Sequence, residues 1–321
     1  MLNLPRMTDI DVSQKKVLLR LDLDIKEFDE NDLRLKASVE TLDFLKGKAS
    51  EIIILAHRGR PEGKVDQSMS LKIFQPYFDK WEAKVEENLR FNTGEEENDS
   101  EFANKLASLG DVYVNEAFAS SHRNHASIVS LPKLMPSAFG IHFIKEVENL
   151  SKILEPVRPL VVLISGVKED KVKMIEPLSL LADKILVGGR LPDFLGDKAL
   201  ESVRLQGEDK KVIVGNLIMD KEDITLNTVG RFNSEILKAK TILLAGVLGK
   251  YEDVGHSQGT EKVFKAVANS TAFKIAGGGD TINAIIRYGI QDKFDWISVG
   301  GGAALEFLTR KTLPGINAIV D

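Results

Sequence analysis

The sequence predicts an α/β protein with two Rossmann-like three-layer α/β/α lobes, each with a parallel sheet, joined by a hinge helix. Three observations support this prediction. Short apolar runs alternate with amphipathic segments, which is the pattern of parallel strands and their covering helices. Glycine clusters or charged residues follow most of these runs, as at the ligand-binding edge of such sheets. The chain has 321 residues, 43% of them hydrophobic, which is enough for two cores.

The composition excludes several kinds of site and argues against some classes of protein. The formal net charge of −5 argues against non-specific binding to nucleic acid or to anionic membranes. The absence of cysteine excludes disulfides, thiolate metal sites and cysteine nucleophiles. No apolar run is long enough to span a bilayer, and residues 1–16 lack the apolar core of a signal peptide. We therefore expect a cytoplasmic protein that binds neither nucleic acid nor membrane.

The first lobe is predicted to span residues 1–150. Its buried strands are expected at residues 16–23, 51–56 and 111–115, and its helices at residues 33–46, 71–84 and 101–109. Polar and charged residues follow the strands in successive strand–loop units. Because parallel strands end at the same edge of a sheet, the following side chains should lie together: Asp22, Asp24, Arg34, His57, Arg60, Arg90 and Arg123.

The arginines of this set indicate an anionic ligand. A guanidinium group binds phosphate or carboxylate oxygens in a bidentate manner, so a cluster of them suits a small, multiply charged molecule. The alternative is that each arginine is only a solvated surface charge, which is the commonest environment of arginine. The regular placement after successive strands favours the first interpretation.

The second lobe is predicted to span residues 151–310. Residues 144–154 have the pattern of a helix that connects the lobes, with the boundary near residue 150, and we expect the tail, residues 311–321, to return toward the first lobe. The strands of the second lobe are expected at residues 159–165, 184–187, 211–214, 241–245, 273–276 and 296–299.

Two of these strands run directly into triple-glycine clusters, Gly277–Gly279 and Gly300–Gly302. Glycines between a strand and a helix allow close approach of a ligand and direct unpaired helix N–H groups at it. Asp280 follows the first cluster and could hold Mg²⁺ on nucleotide phosphates, since hard cations prefer carboxylate oxygen. The alternative is a pair of tight turns without a ligand. We interpret the clusters as a site for phosphoryl transfer.

The order of several longer segments resembles one family. The segments VLLRLDLDI, HRGRPEG, HRNHAS, SGVKEDK, GVLGKYE, AGGGDT and VGGGAALEFL resemble, in this order, those of the phosphoglycerate kinase family along nearly the whole chain. A single GGGDT segment is weak evidence for a family, but the whole set of segments in this order is specific to this one. Compared with that family, this chain is shorter than usual, has Asp24 where an asparagine is usual, and has Arg190 in place of a third glycine.

The resemblance implies a role for each matching residue. The residues implied to bind the phosphoglycerate are Asp22, Asp24, Arg34, His57, Arg60, Arg90 and Arg123. Those implied to bind the nucleotide are Gly166, Lys168, Lys171, Gly188, Gly189, Glu252, Gly277, Gly278, Gly279, Asp280, Thr281, Gly300 and Gly301. Those implied to act on the transferred group are Arg34, Lys168, Gly279 and Gly302. Asp280 is implied to hold Mg²⁺, and the protein is implied to be a monomer.

The implied reaction is reversible phosphoryl transfer from 1,3-bisphosphoglycerate to ADP, giving 3-phosphoglycerate and ATP, in line and after hinge closure. Two other classes of function fit parts of this pattern. A non-catalytic relative that senses or scaffolds a phosphorylated metabolite or nucleotide should have lost Arg34, Lys168 or Asp280, and all three are present. A Rossmann oxidoreductase is disfavoured, because no strand is followed by G-x-G-x-x-G with an acid about 20 residues later.

Overall fold

The computed structural model describes residues 3–167, 169–195 and 211–320. The chain forms two compact units, one of Met1–Glu148 with Thr312–Asp321 and one of Asn149–Lys311. Each unit is built on a parallel sheet, so the predicted α/β fold class is confirmed. Within the described ranges, no helix is both long enough and apolar enough to cross a membrane.

The sheet of the first unit has the strand order β3-β2-β1-β4-β5, and all of its pairs are parallel. The strands are β1 Lys16–Arg20, β2 Glu51–Leu55, β3 Ala83–Val85, β4 Val112–Asn115 and β5 Ser137–Phe139. The α-helices are α1 Leu33–Ala37, α2 Val39–Leu45, α3 Gln75–Phe78, α4 Thr93–Glu96, α5 Ser100–Ala107 and α6 Ile141–Leu154. Single turns of 3₁₀-helix, among them Leu89–Phe91 and Phe118–Ser120, and the π-turn Ala126–Ser130 connect them.

The two faces of this sheet bury different side chains. Leu18 packs with Ile53 in one apolar cluster, whereas the next residue, Leu19, packs with Ile54 in another. Alternate residues of a strand point to opposite faces, so a continuous apolar run buries both faces. This arrangement produces the three layers that the sequence predicts.

Helix α6 begins in the first unit and passes the boundary between Glu148 and Asn149. Its first turn is capped by the buried carboxylate of Glu116, which accepts hydrogen bonds from the N–H groups of His142, at 3.0 Å, and Phe143, at 2.8 Å. Burial raises the pKa of Glu116. The start of the connecting helix is therefore tied to the end of β4.

The sheet of the second unit has the order β11-β10-β9-β6-β7-β8 and is also parallel. Its strands are β6 Leu160–Ile164, β7 Lys184–Val187, β8 Val212–Val214, β9 Thr241–Ala245, β10 Phe273–Gly277 and β11 Trp296–Ser298. Its α-helices are α7 Ile175–Leu181, α8 Leu226–Ile236, α9 Gln258–Asn269, α10 Gly279–Arg287 and α11 Gly302–Arg310, after which α12, Pro314–Val320, belongs to the first unit.

The helix predicted over residues 71–84 is wrong at its end. Helical turns run only as far as Trp81, and Ala83–Val85 is a strand that pairs with β2. Glu82 has φ of +55°, a left-handed conformation that ends the helix. Ala83 and Val85 are buried while Lys84 is exposed, and so short an alternation is easily absorbed into a helical pattern.

Candidate active site

Asp22 lies in the first unit where the strand order changes direction. It follows β1, which lies between β2 and β4 in the sheet. Its carboxylate accepts hydrogen bonds from the N–H group of Ala119, at 2.7 Å, and from the hydroxyl of Ser120. Both partners belong to the turn after β4. Asp22 is therefore fixed at the switch point of the sheet, where open α/β sheets bind their ligands.

Asp24 links the ends of β1 and β2 and contacts Arg34. Its carboxylate accepts a hydrogen bond from the N–H group of Gly59 at 2.8 Å, and its carbonyl accepts one from the Arg34 guanidinium. Arg34 lies in the first turn of α1, where the Asp32 carboxylate accepts a hydrogen bond from its N–H group at 2.7 Å. The half-buried guanidinium is thus held beside the strand ends.

Arg90 is almost completely buried, with 2% of its surface exposed. Its guanidinium donates to the carbonyl of Gly59 at 2.6 Å and pairs with Glu96 at 3.2 Å. Its Nε has no hydrogen-bond partner among the residues that the structure describes. A buried cation with an unused donor is an arrangement that a bound anion would complete.

His57 follows β2 and is buried, with its Nδ1 2.9 Å from a guanidinium nitrogen of Arg20. Burial, and then the positive charges of Arg20, Arg90 and Arg123, hold the pKa of His57 well below its usual range. The structure therefore brings His57, Arg90 and Arg123 close enough to interact. Arg60, by contrast, is exposed and forms no hydrogen bond with the described residues.

His125 should make the stability of the first unit depend on pH. Burial, and then Arg90 and Arg20, lower its pKa to about 3, from about 6.5 in an unfolded chain. Between these values the unfolded chain binds a proton that the folded unit does not. Stability is therefore fully present above about pH 6.5 and falls as the pH drops through this window.

We expect the urea midpoint of the first unit to fall between about pH 7 and about pH 4, and to fall less in a His125→Gln variant. Fluorescence of Trp81 in a Trp296→Phe background reports on this unit, because Trp296 belongs to the other one. Equal pH slopes for the wild-type and variant proteins would contradict the explanation.

In the second unit, a cavity of about 330 Å³ lies at the ends of the central strands. Its apolar wall includes Met174, Ile275 and Leu305. The glycine turns and the residues beside them also line it: Gly166, Lys171, Gly246, Gly277, Gly278, Gly279, Asp280, Thr281, Gly301 and Gly302. The adjacent strands β6 and β9, whose following glycines line this cavity, form the switch point of the sheet. A partly apolar ligand with an anionic end suits this lining.

Two helices begin at this cavity. The N-cap of α10 is Gly278, with φ of +104°, and that of α11 is Gly301, with φ of +53°. Such backbone conformations strain any residue with a side chain. A Cβ atom on Gly279 or Gly302 would meet no atom within 4 Å. The space at both helix starts is thus open to an anion, although in α11 the N–H group of Ala303 donates to the carbonyl of Gly300 at 3.0 Å.

Thr281 and Lys171 line the same cavity but have different partners. Thr281 is 1% exposed, and its hydroxyl has no hydrogen-bond partner among the described residues. The Lys171 ammonium donates to the carbonyls of Ser165, at 2.7 Å, and of Ala245, at 3.3 Å. Thr281 therefore has a hydroxyl to offer a ligand, whereas Lys171 joins the ends of β6 and β9.

A second cavity, of about 200 Å³, adjoins the first, because Val167, Val247 and Asp280 line both. Gly189 and Glu252 line it. Its other charged lining residues are Arg190, Lys221, Glu222 and Lys250. Together the two cavities provide connected space for a ligand larger than either.

Gly188 and Gly189 follow β7 and are required by packing. A Cβ atom on Gly188 would lie 2.2 Å from the Leu248 side chain, and one on Gly189 would lie 2.7 Å from the Ser165 hydroxyl. Such distances are too short for any side chain. These two glycines therefore let the turn after β7 approach the neighbouring strand ends.

Asp280 is the carboxylate shared by both cavities, and it is exposed in the first turn of α10. Its oxygen donors suit Mg²⁺, which commonly keeps water and phosphate ligands and takes only one or two protein carboxylates. No group of three His, Cys, Asp or Glu side chains with metal-binding geometry occurs among the described residues. The chemistry of Asp280 thus fits a cation carried by phosphates.

Comparison with known proteins assigns the family. The sequence profile described as Phosphoglycerate kinase matches residues 7–86, 79–195 and 193–311 of this chain. The chain belongs to the phosphoglycerate kinase family. The phosphoglycerate kinase of Orientia tsutsugamushi (strain Ikeda) is 31% identical over 398 aligned positions, which cover 100% of this chain and 98% of that protein. That of Pseudothermotoga lettingae is 33% identical and covers 98% of both chains.

Solved structures of phosphoglycerate kinases have the same fold. The enzyme of Coxiella burnetii matches with a TM-score of 0.81 and 28% identity, and the match covers 98% of each chain. The phosphoglycerate kinase family was also the one that the sequence motifs indicated. Because the alignment to the Orientia protein has 398 positions and this chain has 321 residues, the alignment includes positions that this chain lacks.

The residues implied by the family resemblance lie at the strand ends of the two units. Gly300 is buried, and its N–H group donates to the Ser298 hydroxyl at 3.1 Å. Lys168, expected to accompany the transferred phosphoryl group, lies outside the described residues. The ligand-binding roles of the phosphoglycerate kinase residues remain predictions.

Three buried polar residues near His57 have no ligand-binding role assigned from the sequence: Arg20, Glu95 and Ser127. The sequence does place Arg20 in a polar cluster at a strand end. Arg20 ends an otherwise apolar strand, and an arginine in such a position needs buried partners. That signal was available in the run KVLLR. Glu95 lies in an acidic stretch that has the pattern of a solvated loop, so no sequence pattern indicates its burial.

Proposed function

We propose that this protein catalyses reversible phosphoryl transfer between 1,3-bisphosphoglycerate and ADP, which gives 3-phosphoglycerate and ATP. The observation that supports the proposal most is the pairing of two different anion sites in one member of the phosphoglycerate kinase family. The first unit has arginines and a histidine at its strand ends. The second unit has two helix N-termini and connected cavities.

In this proposal the first unit binds the phosphoglycerate. Arg90 and Arg123 neutralise the carboxylate and phosphate groups, and the half-buried Arg34 neutralises charge on the phosphoryl group during transfer. Asp22 and Asp24 fix the turns that carry these groups, through the N–H groups of Ala119 and Gly59.

The second unit binds the nucleotide in this proposal. The N–H groups at Gly279 and Gly302 receive phosphate oxygens, and Glu252 in the second cavity binds the ribose. Mg²⁺ on the phosphates, with Asp280 as its protein ligand, supplies further neutralisation of charge. The attacking oxygen is already anionic in either direction, so alignment and charge neutralisation suffice and no general base is required. Movement of the two units during the reaction stays a prediction from the sequence.

A coupled assay with 3-phosphoglycerate, Mg²⁺ and a panel of nucleoside triphosphates tests the proposal. Turnover that requires all three components supports it and ranks the nucleotides. If calorimetry detects binding of 3-phosphoglycerate but no nucleotide supports turnover, the proposal is refuted and the protein is a metabolite-binding protein. We also propose that the protein acts as a cytoplasmic monomer, which sedimentation of the active enzyme would test.

Thr281 provides a prediction that separates binding from folding. In a Thr281→Val variant a buried hydroxyl without a protein partner becomes a methyl group, so the free protein should be as stable as the wild type or slightly more stable. If the hydroxyl meets a nucleotide phosphate, ATP affinity should fall about tenfold. Calorimetric Kd and thermal unfolding measure the two effects.

Thr260→Val is the matched control for this prediction. Its hydroxyl is equally buried but accepts hydrogen bonds from the N–H groups of Leu248, at 3.0 Å, and Gly249, at 3.1 Å. We expect this control to lose stability. A Thr281→Val protein that loses stability and binds ATP normally would contradict the assignment.

A further inference from the structure

A chain of buried hydrogen bonds leads from Glu95 to His57. The Glu95 carboxylate accepts from the Ser127 hydroxyl at 2.6 Å and from the Ser127 N–H group at 2.9 Å. Arg20 donates from Nε to the same hydroxyl at 2.9 Å and lies, through a terminal nitrogen, 2.9 Å from Nδ1 of His57. Glu95, Ser127 and Arg20 are 0% exposed and His57 is 2% exposed.

The direction of each hydrogen bond in this chain is determined by chemistry. A guanidinium group only donates, so the Ser127 hydroxyl must accept from Arg20 and give its own proton to Glu95. Arg20 also donates to the carbonyl of Leu21 and lies 3.9 Å from Glu95, which further fixes its orientation. The guanidinium therefore has a single arrangement, in which one N–H group points at His57.

The same argument determines the protonation of His57. Because Arg20 donates to Nδ1, that nitrogen must carry a lone pair, and a neutral imidazole then carries its proton on Nε2. A doubly protonated ring would put an N–H group against a guanidinium N–H group. Among the described residues, Nε2 of His57 has no hydrogen-bond partner, so its N–H group is free to donate to a ligand.

We propose that Arg20, oriented by Glu95 through Ser127, is a positioning residue that keeps His57 neutral and protonated on Nε2, so that His57 donates a hydrogen bond to the anionic substrate. The identity of that substrate rests on the proposed function, but the protonation of His57 does not. A neutral donor adds one directed hydrogen bond to a site that is rich in arginines, and its charge does not change over the physiological pH range.

The charged groups around His57 favour the same state. Arg90 and Arg123 act on the ring in addition to Arg20, and the ring of His125, which is neutral above about pH 3, lies edge-on at 6.4 Å between centroids. The Glu95 carboxylate accepts from the hydroxyl and the N–H group of Ser127, and it lies 3.9 Å from Arg20 and 3.7 Å from Nδ1 of His125. Among the described residues, His57 therefore has cationic neighbours and no carboxylate within hydrogen-bond distance.

Nitrogen-15 NMR of the imidazole rings of the whole protein, without ligand, tests the proposal directly. A His57→Gln variant assigns the signals of His57. We expect the nitrogen-15 chemical shifts of His57 to be those of a neutral ring with the proton on Nε2, and to stay unchanged between about pH 8 and about pH 5. A ring protonated on Nδ1, or a ring that gains a proton in this range, would overturn the proposal.

Variants distinguish positioning from structural support. In Arg20→Met we expect both neutral forms of His57 to appear, and in Ser127→Ala we expect a smaller change of the same kind. The KM for 3-phosphoglycerate should rise about tenfold in Arg20→Met, with a smaller change in kcat. If Arg20→Met does not fold, the Ser127→Ala spectrum tests the proposal instead. A Ser127→Ala spectrum identical to that of the wild type would mean that the hydrogen bonds from Glu95 through Ser127 and Arg20 do not determine the protonation of His57.

Arg58→Met is the matched control. Its guanidinium is also partly buried in the first unit and donates to the carbonyls of Ile25, at 2.8 Å, and Ser68, at 2.7 Å, but not to His57. This variant should lose stability and keep the wild-type pattern of His57. If Arg58→Met changes the His57 signals as much as Arg20→Met does, the general loss of stability of the unit explains the result and the positioning role of Arg20 is wrong. Addition of 3-phosphoglycerate should shift the Nε2 signal, and binding without such a shift would overturn the donor role.

Discussion

Replacement of Arg34 by alanine should lower kcat by about 10³-fold, which is the scale seen when a charge-stabilising arginine is removed from a phosphoryl-transfer site. Arg34 lies in the first turn of α1, and its guanidinium is held by the carbonyl of Asp24. If the group acts mainly on charge that develops during transfer, the KM for 3-phosphoglycerate should change much less than kcat. Steady-state kinetics in both directions measure the two constants.

Lys36→Ala is the control on the same helix. Lys36 is exposed, and its ammonium donates to the Asn31 side chain at 3.0 Å. This variant removes one positive charge from α1 without touching the strand ends, so activity should stay near that of the wild type. Equal losses in both variants would mean that net charge, rather than the position of Arg34, determines the rate.

Gly246→Ala should destabilise the second unit by about 3–5 kcal/mol. A Cβ atom at this position would lie 1.9 Å from the carbonyl oxygen of Ser165, and φ is +138°. The backbone of residue 246 fixes the position of the Cβ atom, and the oxygen belongs to the main chain of the neighbouring strand end, so no rotation of a side chain can relieve the overlap. The overlap and the backbone strain add to each other. Urea unfolding followed by Trp296 fluorescence in a Trp81→Phe background measures the loss.

Gly230→Ala is the opposite case in the same unit. Gly230 lies within α8, and a Cβ atom there would meet no atom within 4 Å. Alanine should therefore stabilise the unit by about 1 kcal/mol through its better helix propensity. If both glycine variants changed stability by similar amounts, close approach at Gly246 would not be the cause.

The sequence predicted the fold class correctly, because the fold class follows from local pattern. Continuous apolar runs followed by glycine or charge indicate parallel strands and their carboxyl ends, and the structure has both. Short elements were predicted less well. The strand Ala83–Val85 owes its existence to tertiary pairing with β2 that single-sequence patterns do not show.

The buried hydrogen-bond partners of the site residues could not be predicted from the sequence either. Glu95 and Ser127 are 32 residues apart and meet only because the fold brings α4 to the π-turn after His125. Likewise, the family resemblance implies that Lys171 binds the nucleotide, but its ammonium donates to two main-chain carbonyls. Pattern identifies the type of a residue, whereas its partners depend on three-dimensional contacts.

The C-terminal helix α12 has a consequence for synthesis on the ribosome. It belongs to the first unit, where the N–H group of Gly315 donates to the carbonyl of Ser121 at 2.9 Å. The other unit is one continuous segment, Asn149–Lys311. Domains usually complete their folding in the order in which they are translated. Here the unit that is translated first lacks residues 314–320 until the end of synthesis. Nascent chains stalled before these residues should therefore contain a folded second unit and an incompletely folded first unit.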